Sequence, residues 1–282
     1  MDCATKTLCR FVIFIHESFT MEKIAIIGAG NIGSALLEGL LKSGQMDPSR
    51  ITVTDLRPEI LDGLRARGFD TTSNNKEALA KANIIILCVK PWGVAKILAD
   101  LAPQLDPSRH ILVSIAAGVS LETIEKIVPK LPLLRAIPNT AMAVRASMTA
   151  LVAAPWCQME QVTRVKAIFD YVGLTLLMSE EDLNAATVLA SCGTAFALRY
   201  IRAAMQGGVQ IGVRPDVARD MVAQTLLGAA QIVLENQSHP EVEIDKVTTP
   251  KGLTIQGLTE MEYYGFSRSV VKGILASFEA FK

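Results

Sequence analysis

The chain has 282 residues, half of them hydrophobic, with 28 basic and 28 acidic side chains and a formal net charge of zero. That length suits two domains and a large core. No apolar run approaches the roughly 18 residues of a membrane span, and no block of like charge points to a nucleic-acid or membrane surface, so the expected partner is a small molecule.

In chain order, residues 1–20 carry a short apolar run (Phe11 to Ile15) that is briefer than a signal-peptide core and is followed by His16 and Glu17. Met21 stands just ahead of the first apolar strand. The expectation is a natural start at Met21, with residues 1–20 a disordered or non-native extension. Residues 23–27 then read as a buried strand, Gly28-Ala29-Gly30-Asn31-Ile32-Gly33 follows at once, and Ser34 to Glu38 opens a helix. A G-x-G-x-x-G segment between strand and helix is the dinucleotide fingerprint. Gly28 permits the tight turn, Gly30 lets backbone N–H groups approach a pyrophosphate, and Gly33 lets helix and strand pack closely. The helix N-terminus adds partial positive charge for the phosphates.

A second strand, residues 51–54, ends at Asp55, 22 residues after Gly33. An acid there would hold the adenosine ribose hydroxyl of NAD, whereas Arg57 would meet the 2′-phosphate of NADP. Both cofactors therefore stay open. A helix from Pro58 follows, and residues 84–89 are a continuous apolar strand of the kind found inside a parallel sheet. Val89, Lys90 and Pro91 close it, although Lys90 also reads as a surface lysine ahead of a helix. The next strand, 110–115, runs into Ala116 and Ala117, which suit close contact with a flat ring. Further strands are expected at 133–137, 149–153 and 172–178. The alternation implies a doubly wound α/β layer over residues 21–180, the dinucleotide-binding domain.

From residue 181 the pattern becomes helical. Residues 183–211, interrupted around Ser191-Cys192-Gly193, and 217–234 are apolar on more than one face, and 265–281 form a last amphipathic helix. Such faces need cover, so residues 181–282 are expected to be a helical domain that buries them against a second subunit, or else to be a thick helical layer within one monomer. Thr249, Pro250, Lys251, Gly252, Leu253 and Thr254 form a loop running into a helix start, a natural carboxylate cradle. On the residues alone, helix capping is the plainer role for Thr254. The five cysteines (Cys3, Cys9, Cys88, Cys157, Cys192) lack C-x-x-C spacing and the three histidines are dispersed. No disulfide framework or metal site is expected, and a reducing cytoplasm is.

From Met21 to Lys282 the sequence resembles pyrroline-5-carboxylate reductase, the NAD(P)H enzyme that makes proline. The likeness rests on the glycine fingerprint, Val89-Lys90-Pro91, Ser114-Ile115-Ala116-Ala117-Gly118, Arg135-Ala136-Ile137-Pro138-Asn139-Thr140, Gln224-Thr225-Leu226-Leu227-Gly228-Ala229-Ala230 and the 249–254 loop. It implies a Rossmann-type domain followed by a helical dimerisation domain, a homodimer or larger assembly of dimers, and a substrate site built across two subunits. It also implies that Thr254 hydrogen-bonds the ring nitrogen, that the 249–254 loop holds the carboxylate, and that Asn139 belongs to the substrate site. NADPH is the expected cofactor, with NADH open. Two stretches depart from the family pattern. Thr249, Lys251 and Leu253 replace residues of the usual Ser-Pro-Gly-Gly-(Thr/Ala)-Thr loop, and Ala190-Ser191-Cys192-Gly193-Thr194-Ala195-Phe196 stands where Ser-Gly-Ser-Gly-Pro-Ala-Tyr is usual. Two alternatives remain. A β-hydroxyacid dehydrogenase would need a helix-borne lysine, but residues 183–211 hold Arg199 and Arg202 and no lysine. A non-catalytic nucleotide-sensing dimer would be expected to lose the substrate loop, which here keeps Gly252 and Thr254.

Overall fold

The structure, a computed structural model, describes residues 22–281. The expectation for residues 1–20 and for a start at Met21 falls outside them. The chain forms two compact units, one ending at Ser191 and the other beginning at Cys192. The first unit contains β1 (Ile24–Ile27), α1 (Asn31–Ser43), β2 (Ile51–Thr54), α2 (Pro58–Arg65), β3 (Asp70–Thr72) and α3 (Asn75–Lys81). It continues with β4 (Ile84–Leu87), α4 (Pro91–Leu101), β5 (Ile111–Ser114), α5 (Leu121–Glu125), β6 (Leu133–Ile137), β7 (Ser147–Ala153), α6 (Met159–Asp170), β8 (Gly173–Leu177) and α7 (Leu183–Ala186).

The strands make one sheet in the order β3-β2-β1-β4-β5-β6-β7-β8. From β3 to β6 the pairing is parallel, with Ile24 opposite both Ile51 and Ile84. Every residue of β1, β4 and β5 is buried, because helices cover both faces. Alternate residues of β1 feed two separate cores. Ile24 and Ile26 join Leu36, Leu40 and Phe169 on one face, while Ala25 and Ile27 join Leu98 and Leu112 on the other. Full burial of each large aliphatic side chain contributes about 1.5–3 kcal/mol. The doubly wound reading holds, with one local departure: β7 runs antiparallel to β6. A parallel return needs a crossover of about a dozen residues, and the connection 138–146 has room only for the 3-10 turn Thr140–Val144. The edge strand β3 escapes sequence reading because Asp-Thr-Thr is polar and only half-buried.

A π-helical stretch, Thr187–Cys192, follows α7. The second unit holds α8 (Gly193–Gln210), α9 (Pro215–Asn236), α10 (Pro240–Lys246), α11 (Leu253–Tyr263) and α12 (Phe266–Glu279). In these five helices Ala218 is the one buried residue, seated where α8 offers Gly208. Leu198, Met221, Leu227, Leu234, Val271 and Leu275 are exposed on the single chain. No helix of the described residues is long and apolar enough to cross a membrane.

Candidate active site

The strand order reverses direction at β1, which lies between β2 and β4. Ligands of open α/β sheets bind outside the carboxyl ends of the strands at such a point. Gly28 leaves β1 with φ +100°, a left-handed value natural to glycine, and a Cβ there would come 2.7 Å from the Cys88 carbonyl oxygen. A Cβ on Gly33 would collide with the Gly28 carbonyl oxygen, so only glycine lets α1 lie this close to β1. Gly30 is different. Nothing lies within 4 Å of where its Cβ would be.

Helix α1 starts at Asn31, within the fingerprint and not at Ser34, with Gly30 as N-cap. No side chain caps it and no acid lies in its first turn. The first intrahelical bond runs from the Ser34 N–H to the Gly30 carbonyl, so the N–H groups of Asn31, Ile32 and Gly33 have no partner within the helix, and Asn31 and Ile32 line one of the cavities beside it. An uncapped, unneutralised helix start behind an open glycine fits a pyrophosphate.

Two cavities flank this loop. One, of about 670 Å³, lies at the ends of β1 and β2 and is lined by Gly28, Thr54, Asp55, Leu56 and Arg57. The Asp55 carboxylate is fully engaged there. Its Oδ1 accepts from the Arg57 backbone N–H at 3.0 Å and from Arg57 Nε at 2.8 Å. Its Oδ2 accepts from the Ala29 N–H at 2.9 Å and Arg57 Nη2 at 3.0 Å. The Arg57 guanidinium, and to a lesser degree the Ala29 N–H, hold the carboxyl down at about 2 against the opposing effect of burial. A carboxylate offers about four acceptor sites, and Asp55 has used four. It ties the end of β2 to the glycine loop and spreads the Arg57 fork beside the cavity, with Arg57 half exposed.

The other cavity, of about 430 Å³, lies at the ends of β4, β5 and β6. Asn31 and Ile32, Val89, Lys90 and Pro91, and Ala116 and Ala117 all line it. Pro138, Thr187 and Ser191 complete the wall. No histidine or carboxylate contributes. Burial pushes the Cys88 thiol in this wall up to about 12, so it stays neutral. His110, at the opposite end of β5, is buried, and burial lowers its pKa. Among the described residues no three His, Cys, Asp or Glu side chains come together as a metal site.

Asn139 is buried and committed to the scaffold. Its Oδ1 accepts from the Ala141 N–H at 3.0 Å and its Nδ2 donates to the Ala190 carbonyl at 3.1 Å, which pins the π-helical stretch. Sequence reasoning linked Asn139 to substrate and overlooked Thr187 and Ser191. The break around Ser191-Cys192-Gly193 was the signal that could have found them, since π-turns gather at functional sites.

In the second unit, α11 is N-capped by Gly252 with no side-chain bond, and Thr254 sits one residue beyond the first helical position. Thr254 therefore does not cap. It is exposed, and its hydroxyl makes no hydrogen bond among the described residues. A Cβ on Gly252 would collide with Thr249 Oγ1, whose residue also accepts the Gly252 N–H through its carbonyl at 2.9 Å. Lys251 holds φ +60°, a conformation that favours glycine.

Comparison with known proteins gives two family matches. Residues 180–282 match the pyrroline-5-carboxylate reductase dimerisation family, and residues 23–118 match a family described as NADP oxidoreductase, coenzyme F420-dependent. Pyrroline-5-carboxylate reductase 1 of Dictyostelium discoideum is 39% identical over 266 residues; the match covers 90% of this chain, and the chain spans about half (48%) of that relative. Pyrroline-5-carboxylate reductase 2 of the same organism is 36% identical, with 92% of this chain and 91% of the relative covered. Among solved structures, a pyrroline-5-carboxylate reductase from Coxiella burnetii superposes with a TM-score of 0.84 at 29% identity, covering 92% of this chain and 97% of that one. A Plasmodium falciparum pyrroline carboxylate reductase with NADP bound gives 0.85 at 23% identity, covering 93% and 98%, which is a likeness of fold.

Proposed function

The chain belongs to the pyrroline-5-carboxylate reductase family, and from that premise we propose that it reduces 1-pyrroline-5-carboxylate to L-proline with NAD(P)H. The observation that carries the reading is the chemistry of the β4–β6 cavity, where Ala116, Ala117 and Pro138 offer apolar contact, Asn31, Lys90, Thr187 and Ser191 supply the polar side chains, and no histidine or carboxylate takes part. A cyclic imine is electrophilic once its nitrogen is protonated or hydrogen-bonded, so positioning does most of the work. The bound reduced nicotinamide supplies the hydride. Gly30 and the N-terminus of α1 hold the pyrophosphate, and Val89, Lys90, Pro91, Ala116 and Ala117 seat the nicotinamide end. The loop of Thr249, Pro250, Lys251, Gly252 and Leu253 holds the carboxylate, and Thr254 donates its hydroxyl hydrogen to the ring nitrogen. Asn139 serves the same site by holding its wall. A β-hydroxyacid dehydrogenase reading gains nothing here, since α8 carries no lysine.

For the cofactor, the saturated Asp55 carboxylate has no acceptor left for a ribose hydroxyl, while the Arg57 fork offers positive charge. This supports NADPH over NADH. For assembly, the exposed apolar faces of α8, α9 and α12 and the match to a dimerisation family support a homodimer, with substrate held between a cleft and a loop of different subunits. Cys88, Cys157 and Cys192 are free thiols, which supports a reducing, cytoplasmic setting. The test is to follow oxidation of NADPH and of NADH with pyrroline-5-carboxylate and to identify the product. Proline formation, faster with NADPH, is expected; no oxidation of either cofactor would overturn the proposal.

A further inference from the structure

The wall of the β4–β6 cavity contributed by the π-helical stretch carries two hydroxyls, Thr187 and Ser191. A π-helix has about 4.4 residues per turn, its bonds running i to i+5, so residues four apart stay on one face. The two hydroxyls are not equivalent. Thr187 is buried, and its Oγ1 donates to the Leu183 carbonyl at 2.7 Å. Ser191 is half-buried and lines the cavity, and its side-chain hydroxyl makes no hydrogen bond within the described residues.

The residue before it is anchored. The Ala190 carbonyl accepts from Asn139 Nδ2 at 3.1 Å, and the Asn139 N–H itself donates to Ser147 Oγ at 3.2 Å. The clamp thus runs from β7 through the end of β6 to the π-helical turn. A hydroxyl held by such a chain costs little conformational entropy when it meets a ligand. The same cavity is lined by Ala116, Ala117 and Pro138, which can touch a flat ring but cannot hydrogen-bond one through their side chains. A flat ring seated there and carrying a polar substituent would find a side-chain partner on the π-helical wall, besides Asn31 and Lys90 elsewhere in the lining.

We propose that Ser191 binds the carboxamide of the nicotinamide, its Oγ accepting from the amide N–H, and so fixes the rotation of the ring in the cleft. The inference rests on the assignment of the nicotinamide to this cavity. Ser191 is a positioning residue and takes no proton from the reacting atoms.

The test is equilibrium binding, followed by quenching of intrinsic tryptophan fluorescence, on the full-length wild type, Ser191→Ala and Ser191→Gly. The probes are NADPH and its reduced 3-acetylpyridine analogue, in which a methyl group replaces the amide nitrogen. Loss of one neutral hydrogen bond predicts NADPH binding about 3- to 10-fold weaker in both variants. The analogue should bind all three proteins alike, and more weakly than NADPH binds the wild type. Melting temperatures of the two variants should bracket the wild type closely. NADPH affinity unchanged in Ser191→Ala and Ser191→Gly, or an equal loss for NADPH and the analogue, overturns the proposal. Failure of the wild type to bind NADPH at all would instead refute the underlying assignment of the cavity.

Discussion

Alanine placed at two glycines of the same loop should do opposite things. At Gly30 the backbone has φ −71° and ψ −167°, which alanine adopts without strain, and no atom lies within 4 Å of the new Cβ. Gly30→Ala should therefore fold normally, and reduced freedom of the unfolded chain could add about 0.4–1 kcal/mol of stability. The methyl group would nevertheless stand in front of α1, in the space assigned to the pyrophosphate. Losing one or two charge-assisted bonds to the N–H groups of Asn31 and Ile32, each about 1.5–3 kcal/mol, weakens NADPH by roughly 10- to 100-fold or more. At Gly33 the new methyl group would collide with the Gly28 carbonyl oxygen and lie 3.2 Å from its carbonyl carbon. Both are backbone atoms, so α1 must move off β1. Overpacking of this kind costs about 1–3 kcal/mol, or roughly 3–10 °C in melting temperature. Thermal melts and NADPH titrations on both variants separate the two effects. A Gly30→Ala protein that melts well below wild type, or that keeps full NADPH affinity, would refute the reasoning.

Arg57→Ala should weaken NADPH by about 1.5–3 kcal/mol, the scale of a charged hydrogen bond, while sparing NADH; parallel binding titrations check this. The Asp55 carboxyl, held at about 2 chiefly by Arg57, against an ordinary 3.8, is depressed in the folded state. Its stabilising effect is present above pH 3.8 and is lost as pH falls through about 2. With Arg57 half exposed, that effect amounts to about 1–2 kcal/mol, and acid denaturation of Asp55→Asn should lack it. Lys251→Gly should stabilise the protein by about 1 kcal/mol by relieving a left-handed backbone, read as a higher melting temperature. Thr254→Ala should cut kcat/KM by about 5- to 150-fold with little change in stability, because its hydroxyl neither caps α11 nor bonds within the chain, and Thr254→Ser should recover much of the loss.

Apolar runs made β1 and β4 readable, because strands buried on both faces are mostly apolar; β2, β5 and β6 were readable although Thr52, Thr54, Ser114 and Arg135 are buried within them. The glycine fingerprint was readable because each glycine answers a separate local demand. The reversal of β7 was not, since it follows from the length of a connection and not from the residues of the strand. Nor was the saturation of Asp55, which depends on the Ala29 N–H, 26 residues away in sequence. Asn139 and Ser191 show the same limit. Their motifs marked a site, but which side chain would clamp the wall and which would face the cavity depended on a long-range bond between β6 and the π-helical turn.

The central claim is hydride delivery from NADPH to a ring carbon of an imine. It is tested most directly by running the reaction with NADPH carrying deuterium at C4 of the nicotinamide and locating the label by NMR. One deuterium at C5 of proline, from a single face of the nicotinamide, is the predicted result. Unlabelled proline, label at another carbon, or no turnover would contradict the account.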